Sequence, residues 1–444
     1  MAQSLNFGSW GRITTGLWAL IASAALASAS VAQAAGPAVP TGVPVLTPSA
    51  ADAAVVAGAD LRASPELARK LITHGPWPVA VARDRSNRVA GQAAAMEFGY
   101  RMFREPRMSP NGYIACISCH QTDRAFTDAI ARAQGLAPVG RNTPTLANLR
   151  LTHWFGWDGG SDSLWMASLR PMLDPREIGS DAARVAHVVR VGDGLACRYQ
   201  RSFGAPPSAH SDEWVMVNVA KAIAAFAEGL TTQRTAFDHF RDALARGDDR
   251  AAQAYPAAAR RGAMLFVGKG RCSTCHAGPA FSDGAFHRIA ASRNDGPDAH
   301  GDAPTSVADP GRESGLAFWR QSPYNRFSRF SDHPLRRTAA DRSDSGDKAL
   351  RGAFKTPALR NVAVTAPYLH DGSAASLFDA VGHATSAVHP AWAAGAADSA
   401  APEPISVQDR RDLVAFLETL TDPQGAARVL PPRAPSPCPA TASP

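Results

Sequence analysis

Past its first 27 residues this 444-residue chain has no long apolar run. Nothing later is apolar enough to cross a bilayer, so no stable membrane span is expected beyond the N-terminus. Strand patterns are few, which argues against a sheet-built fold. No basic block is interleaved with aromatic residues, so nucleic acid is not an expected partner. Cysteine is scarce as well, with six residues in all.

Four of those six cysteines fall in two copies of one motif, Cys116-Ile117-Ser118-Cys119-His120 and Cys272-Ser273-Thr274-Cys275-His276. Each reads C-x-x-C-H. Two thiols at this spacing can add to the two vinyl groups of one haem, and the adjacent histidine reaches the iron, so the motif reads as a c-type haem attachment site. Zinc requires four converging ligands, and these pairs lie in opposite halves of the chain. A redox C-x-x-C has no need of the following histidine. The expectation is two c-type haems, with His120 and His276 as proximal iron ligands.

The N-terminus reads as a secretory signal over residues 1–34. Arg12 is the positive region, Leu17 to Ala27 the apolar stretch, and Ala32-Gln33-Ala34 the cleavage site. Export fits haem attachment outside the cytoplasm, so the expected location is the periplasm. Formal charge is +7, and the propionates of two haems would offset most of it. Cys197 and Cys438 remain outside the motifs. In an oxidising compartment they could pair, or Cys438 could stay free.

Residues 35–60 are rich in Ala, Pro and Val and read as a flexible tether. An N-terminal domain is expected over 61–250 and a C-terminal domain over 251–425, with a disordered tail at 426–444. Helical patterns cover 91–105, 212–246 with a break near Thr231, 253–267 and 406–420. In each half a helix precedes C-x-x-C-H, followed by loops and further helix. The fold class is therefore mainly α, with two class I-like cytochrome c domains. Gly (36 residues) and Pro (34 residues) predict a loop-rich fold. The polar stretch 292–350 reads as a surface loop inserted in the second half.

Several blocks then resemble the bacterial di-haem cytochrome c peroxidases and their relative MauG. They are "FREPRMSPNGYIACISCH", "GRNTPTLANLRLTHWFGWDGG", "RGAMLFVGKGRCSTCHAGPAFSDGAFH" and "FKTPALRNVAVTAPYLHDGSAASL". They occur in order from about Gly75 to about Leu420. The resemblance implies that the N-terminal haem reacts with hydrogen peroxide and the C-terminal haem relays electrons. It implies Trp157 between the haems and Glu177, in "RPMLDPREIG", as the acid–base residue on the open face. A carboxylate there can take and return the proton of peroxide. It also implies a calcium ion held by Asn142, Thr365 and Pro367, a ligand set of oxygens that suits that ion.

Three positions depart from the family pattern. Ala167 stands where the family has a glutamine, and Ile178 where it has a methionine. Ala384 stands where it has the methionine or tyrosine ligand of the second haem. His383 and His389 lie close to that place. His153 is a candidate distal ligand of the first haem, whereas His287 and His370 are expected to hydrogen-bond locally. The partners implied are hydrogen peroxide and a small electron donor, a cytochrome c or a cupredoxin. A MauG-like enzyme would instead oxidise residues of a partner protein, and a two-haem electron carrier is the non-enzymatic reading. A homodimer is left open.

Overall fold

A computed structural model describes residues 64–288, 309–338, 341, 347–385, 404–423 and 438. The expected leader and tether, His389 and all of the expected tail except Cys438 lie outside the described residues. Among the described residues the protein is built of helices: α1 (Pro65–Ile72), α2 (Ala93–Phe103), α3 (Cys116–Cys119), α4 (Leu164–Leu173), α5 (Ala182–Val191), α6 (Leu195–Phe203), α7 (Asp212–Glu228), α8 (Ala236–Arg246), α9 (Asp249–Gln253), α10 (Ala257–Val267), α11 (Arg312–Gln321), α12 (Leu377–Ala384) and α13 (Val407–Glu418). Strands β1 (Phe286–His287) and β2 (Phe354–Lys355) form a short antiparallel pair.

Helix α7 is the axis of the first core. Ser211 caps it by accepting from the Trp214 N–H, and every residue from Val215 to Ala227 is buried. A helix apolar all round belongs in an interior. Its two buried polar residues are satisfied: Asn218 donates to the Tyr199 hydroxyl at 2.6 Å and Lys221 to Asp332 at 2.6 Å. The chain breaks after Gly229, and a capping box formed by Thr235 and Asp238 starts α8.

Two helix crossings carry the same device. A Cβ on Gly99 of α2 would lie 1.9 Å from the carbonyl oxygen of Ala222 on α7. A Cβ on Gly262 of α10 would lie 1.9 Å from that of Asp412 on α13. In both halves, then, the helix before the C-x-x-C-H motif meets a later helix backbone to backbone, and only glycine permits the approach.

The hydrophobic cores do not divide at residue 250. The first gathers Phe98, Met102, Trp165, Met172, Val189, Tyr199 and Phe226, and recruits Leu316, Trp319 and Phe330 from far along the chain. The second gathers Phe266, Phe281, Leu413 and Phe416, and recruits Leu71, Phe237 and Phe240 from before the expected boundary. Helices α1 and α8 thus pack with the C-terminal half.

The described part of 292–350 is not a detached surface loop. Helix α11 lies within it, and Trp319 donates to Asp162 at 2.8 Å. Its Arg312 guanidinium is stacked between Trp154 and Phe286, 4.0 Å from each ring. The polar composition suggests solvent, but these polar groups are buried with partners.

Arg360 and Asp238 form a fully buried ion pair at 2.8 and 3.0 Å, with Trp77 stacked 3.6 Å below the guanidinium. Cys197 and Cys438 are joined by a disulfide, which settles the alternative left by the sequence.

Candidate functional site

Each C-x-x-C-H histidine is fixed by the same contact. Nδ1 of His120 donates to the carbonyl of Phe126 at 2.9 Å, and Nδ1 of His276 to that of Phe281 at 2.9 Å. A carbonyl can only accept, so Nδ1 carries the proton and Nε2 keeps its lone pair for a metal. Both phenylalanines have left-handed backbone, φ 60° and 54°, which turns their carbonyls toward the rings. Burial pulls both imidazoles below their usual pKa, favouring the neutral ligand form. His74, stacked on Phe281, places Nε2 3.2 Å from the His276 carbonyl.

These contacts belong to an internal repeat finer than the helix-and-motif duplication. Ala125-Phe126-Thr127-Asp128 corresponds to Ala280-Phe281-Ser282-Asp283. Thr143-Pro144-Thr145-Leu146-Ala147-Asn148 corresponds to Thr356-Pro357-Ala358-Leu359-Arg360-Asn361. Trp157-Asp158-Gly159 corresponds to His370-Asp371-Gly372. The geometry repeats too. Asn148 and Asn361 have φ 63° and 64°. Their N–H groups donate to Leu230 and Leu420 at 2.7 and 3.0 Å. Their side-chain oxygens accept from the N–H groups of Thr232 and Asp422.

The two halves meet through this repeat. The residue before each Thr-Pro is Asn142 in one half and Lys355 in the other. Asn142 N–H donates to the carbonyl of His370, and Lys355 N–H to that of Trp157, both at 2.8 Å. The indole N–H of Trp157 in turn donates to the Asn142 carbonyl at 2.9 Å. Asn142 is buried, and its side-chain amide donates to Ile130 at 2.9 Å. That contact leaves Oδ1 without a hydrogen bond among the described residues.

A single cavity of about 1760 Å³ runs past both motifs. An ordinary small-molecule pocket holds roughly 300–1,000 Å³. Cys116, Cys119 and His120 of the first motif and Cys272 and His276 of the second line it, with Asn142, Trp157, Glu177, Thr365 and Pro367 also in the wall. Burial pushes the Cys116 and Cys272 thiols up to about 12 and Cys119 to about 11, and raises Cys275 as well. The donor set and the space fit two large apolar cofactors.

Glu177 follows α4 in a turn that its own N–H closes on the Asp174 carbonyl at 3.0 Å. Its carboxylate has no hydrogen bond among the described residues and faces the cavity. Burial, then the neighbouring Asp174 charge, raise its pKa. Asp158 is the contrasting case. Arg170 and Arg141 hold it at 2.7–2.9 Å, far below the ordinary carboxylate range. Ala167 lines the cavity as a bare methyl, and Ile178 is buried packing.

Around the second motif, α12 contributes Leu377, Ala380, Val381, His383 and Ala384 to the wall. No methionine lines the cavity among the described residues. His153 is exposed at the cavity rim. His287 pairs with Asp283 at 2.7 Å, and His370 stacks on Phe354 with centroids 3.7 Å apart. Sequence reasoning missed Lys355, Arg141 and the finer repeat. The repeat was readable as T-P-x-L-x-N occurring twice.

Comparison with known proteins agrees with this architecture. The profile described as di-haem cytochrome c peroxidase matches residues 93–246. The chain is 29% identical over 346 residues to the methylamine utilization protein MauG of Methylorubrum extorquens, spanning 77% of this chain and 82% of that one. It is 30% identical over 290 residues to the cytochrome c551 peroxidase of Nitrosomonas europaea, spanning 64% of this chain and 71% of that one. Among solved structures, a MauG-like protein associated with microbial copper homeostasis matches with TM-score 0.56 and 24% identity, over 80% of this chain and 98% of that one. The diheme peroxidase BthA from Burkholderia thailandensis matches with TM-score 0.57 and 21% identity, over 76% and 88%. A mainly helical fold shared with those structures, and sequence likeness to both named groups, make this chain a member of the di-haem cytochrome c peroxidase and MauG family of oxidoreductases.

Proposed function

We propose that the chain carries two c-type haems, bound through Cys116/Cys119 and Cys272/Cys275 with His120 and His276 on the iron, and reduces hydrogen peroxide in the periplasm. A haem iron held by one histidine offers peroxide a binding site and stores oxidising equivalents. The protein's own part is proton handling and positioning. A carboxylate oxygen of Glu177 takes a proton from hydrogen peroxide and returns it to the departing oxygen. His120 and His276 stay neutral and oriented through Phe126 and Phe281. Trp157, anchored to Asn142, stands at the junction of the halves, where an indole shortens electron-transfer steps. Asn142 Oδ1, with carbonyls of Thr365 and Pro367, would hold a calcium ion.

The observation that carries this reading is Glu177, a cavity-lining carboxylate beside the first motif with no hydrogen-bond or ion-pair partner among the described residues. An electron carrier needs no such group. Electrons would come from a small cytochrome c or cupredoxin and enter by the C-terminal half. Ala384 and the absence of methionine from the cavity wall among the described residues favour a second reading, in which the enzyme acts like MauG on residues of a partner protein. Stopped-flow spectroscopy of the holoprotein with peroxide tests both. A fast spectral change, reversed by a reduced small cytochrome c, is expected for the peroxidase. A long-lived oxidised state that the donor does not discharge would favour the protein-modifying role. No reaction in a fully loaded protein would refute both.

A further inference from the structure

Lys355 has no role in the chemistry described so far. Its backbone is pinned on both edges, by pairing with Phe286 in the β1–β2 ladder and by its N–H on the Trp157 carbonyl at 2.8 Å. Its side chain is half-buried and fronts the cavity. Among the described residues its ammonium has neither a hydrogen-bonding nor an ionic partner.

The aspartates of the cavity wall already have partners. Asp158 is taken by Arg141 and Arg170, Asp309 by Arg141, Asp174 by Arg176 and Asp283 by His287. Burial alone acts on Lys355, pushing it down to about 8, and no charged group, Glu177 included, offsets that. An ammonium that fronts this cavity with no counter-charge becomes strongly unfavourable once the space is filled and its water displaced. Its repeat mate Asn142 offers an oxygen at the equivalent place, so the two halves present opposite polarity there.

We propose that Lys355 binds a carboxylate of the group seated in the cavity, a propionate of haem, and so sets the reduction potential of that haem. The proposal rests on the two-haem reading above. An ammonium beside a propionate removes negative charge near the iron and favours the reduced state. The cofactor carboxylate in turn restores the charged form of Lys355.

The test uses holoprotein of wild type, Lys355→Met and Lys355→Arg. Haem content is counted first, then both midpoint potentials are read by spectroelectrochemical titration. Expected are two haems per chain in each, a lower potential for one haem in K355M, and recovery toward the wild-type value in K355R. Resonance Raman of the propionate bending bands should shift in K355M only. This readout serves even if little K355M matures. Wild-type potentials and bands in K355M would overturn the proposal, as would an equal loss in K355R. A wild-type chain without haem would overturn the two-haem reading as well, which separates the two failures.

Discussion

Asn142 and Lys355 occupy equivalent places in the repeat, and each donates its backbone N–H across to the other half, to His370 and to Trp157. The halves are thereby joined main chain to main chain beside the cavity. Side-chain exchange on either surface would leave this join intact.

Trp157 braces the N-terminal side of that join, its indole N–H on the Asn142 carbonyl. Trp157→Phe removes the donor and leaves a carbonyl short of a partner, at about 1–3 kcal/mol. Both haems should remain. Re-reduction of the peroxide-treated enzyme by an electron donor should slow, and thermal unfolding should move to lower temperature. Unchanged donor-driven kinetics would remove Trp157 from the electron path.

Glu177→Gln should slow the spectral reaction with peroxide by about 10²-fold or more while keeping both haems. The pH profile gives a second reading. Glu177 acts as a proton acceptor only when ionised, and burial together with Asp174 raises its folded-state pKa. The wild-type rate should therefore rise with pH through a midpoint above that of a free glutamate, and the variant should lose this step. The stability sign is opposite. A raised folded pKa gives stability that is full below the unfolded pKa and lost as pH rises through the folded one, a loss that Glu177→Gln should not show.

The C-terminal haem should show no methionine charge-transfer band in the near infrared, because no methionine lines the cavity among the described residues. His383 is the imidazole that α12 brings to the wall. Low-temperature EPR of the wild type should give a low-spin bis-histidine signal, and His383→Ala should convert it to high spin. A high-spin signal at both haems in the wild type would mean an open or water-bound site. It would also place the second haem within reach of small ligands.

Gly99→Ala and Gly262→Ala should each force a helix crossing apart, since the added methyl would stand 1.9 Å from a carbonyl oxygen. Overpacking of a fixed contact costs typically about 1–3 kcal/mol, and more where backbone must move. Gly262→Ala should perturb the spectrum of the C-terminal haem and spare the other. Gly99→Ala should do the reverse. Equal perturbation of both haems by either variant would contradict separate crossings.

The two C-x-x-C-H motifs stand out in the sequence because covalent haem attachment requires both residue types at that spacing. Helix α13 was legible for a similar local reason: Ser406 and Asp409 form the capping box their spacing suggests. The exchange of segments between cores was not. Leu316 and Trp319 sit among charged residues, and only their distant partners make them core. The cross-links of Asn142 and Lys355 were invisible for another reason. They use backbone N–H groups, which every residue but proline has. Lys355 reads in sequence as one more solvated lysine. Its isolation follows from which acids other residues have already taken.

The disulfide between Cys197 and Cys438 imposes an order on how the protein is made. Cys438 is the last of the six cysteines and Cys197 the third. Two motif thiols are synthesised before Cys197 and two after it. Cys197 precedes Cys272 and Cys275, and its partner arrives only when the chain is nearly finished. In an oxidising compartment every one of those thiols is a competitor for it. On the two-haem reading proposed above, attachment of the cofactors would take four of the six out of that competition permanently. Cofactor supply would then act as an editor of disulfide pairing. Production starved of haem should yield scrambled covalent isomers in place of a clean, cofactor-free chain.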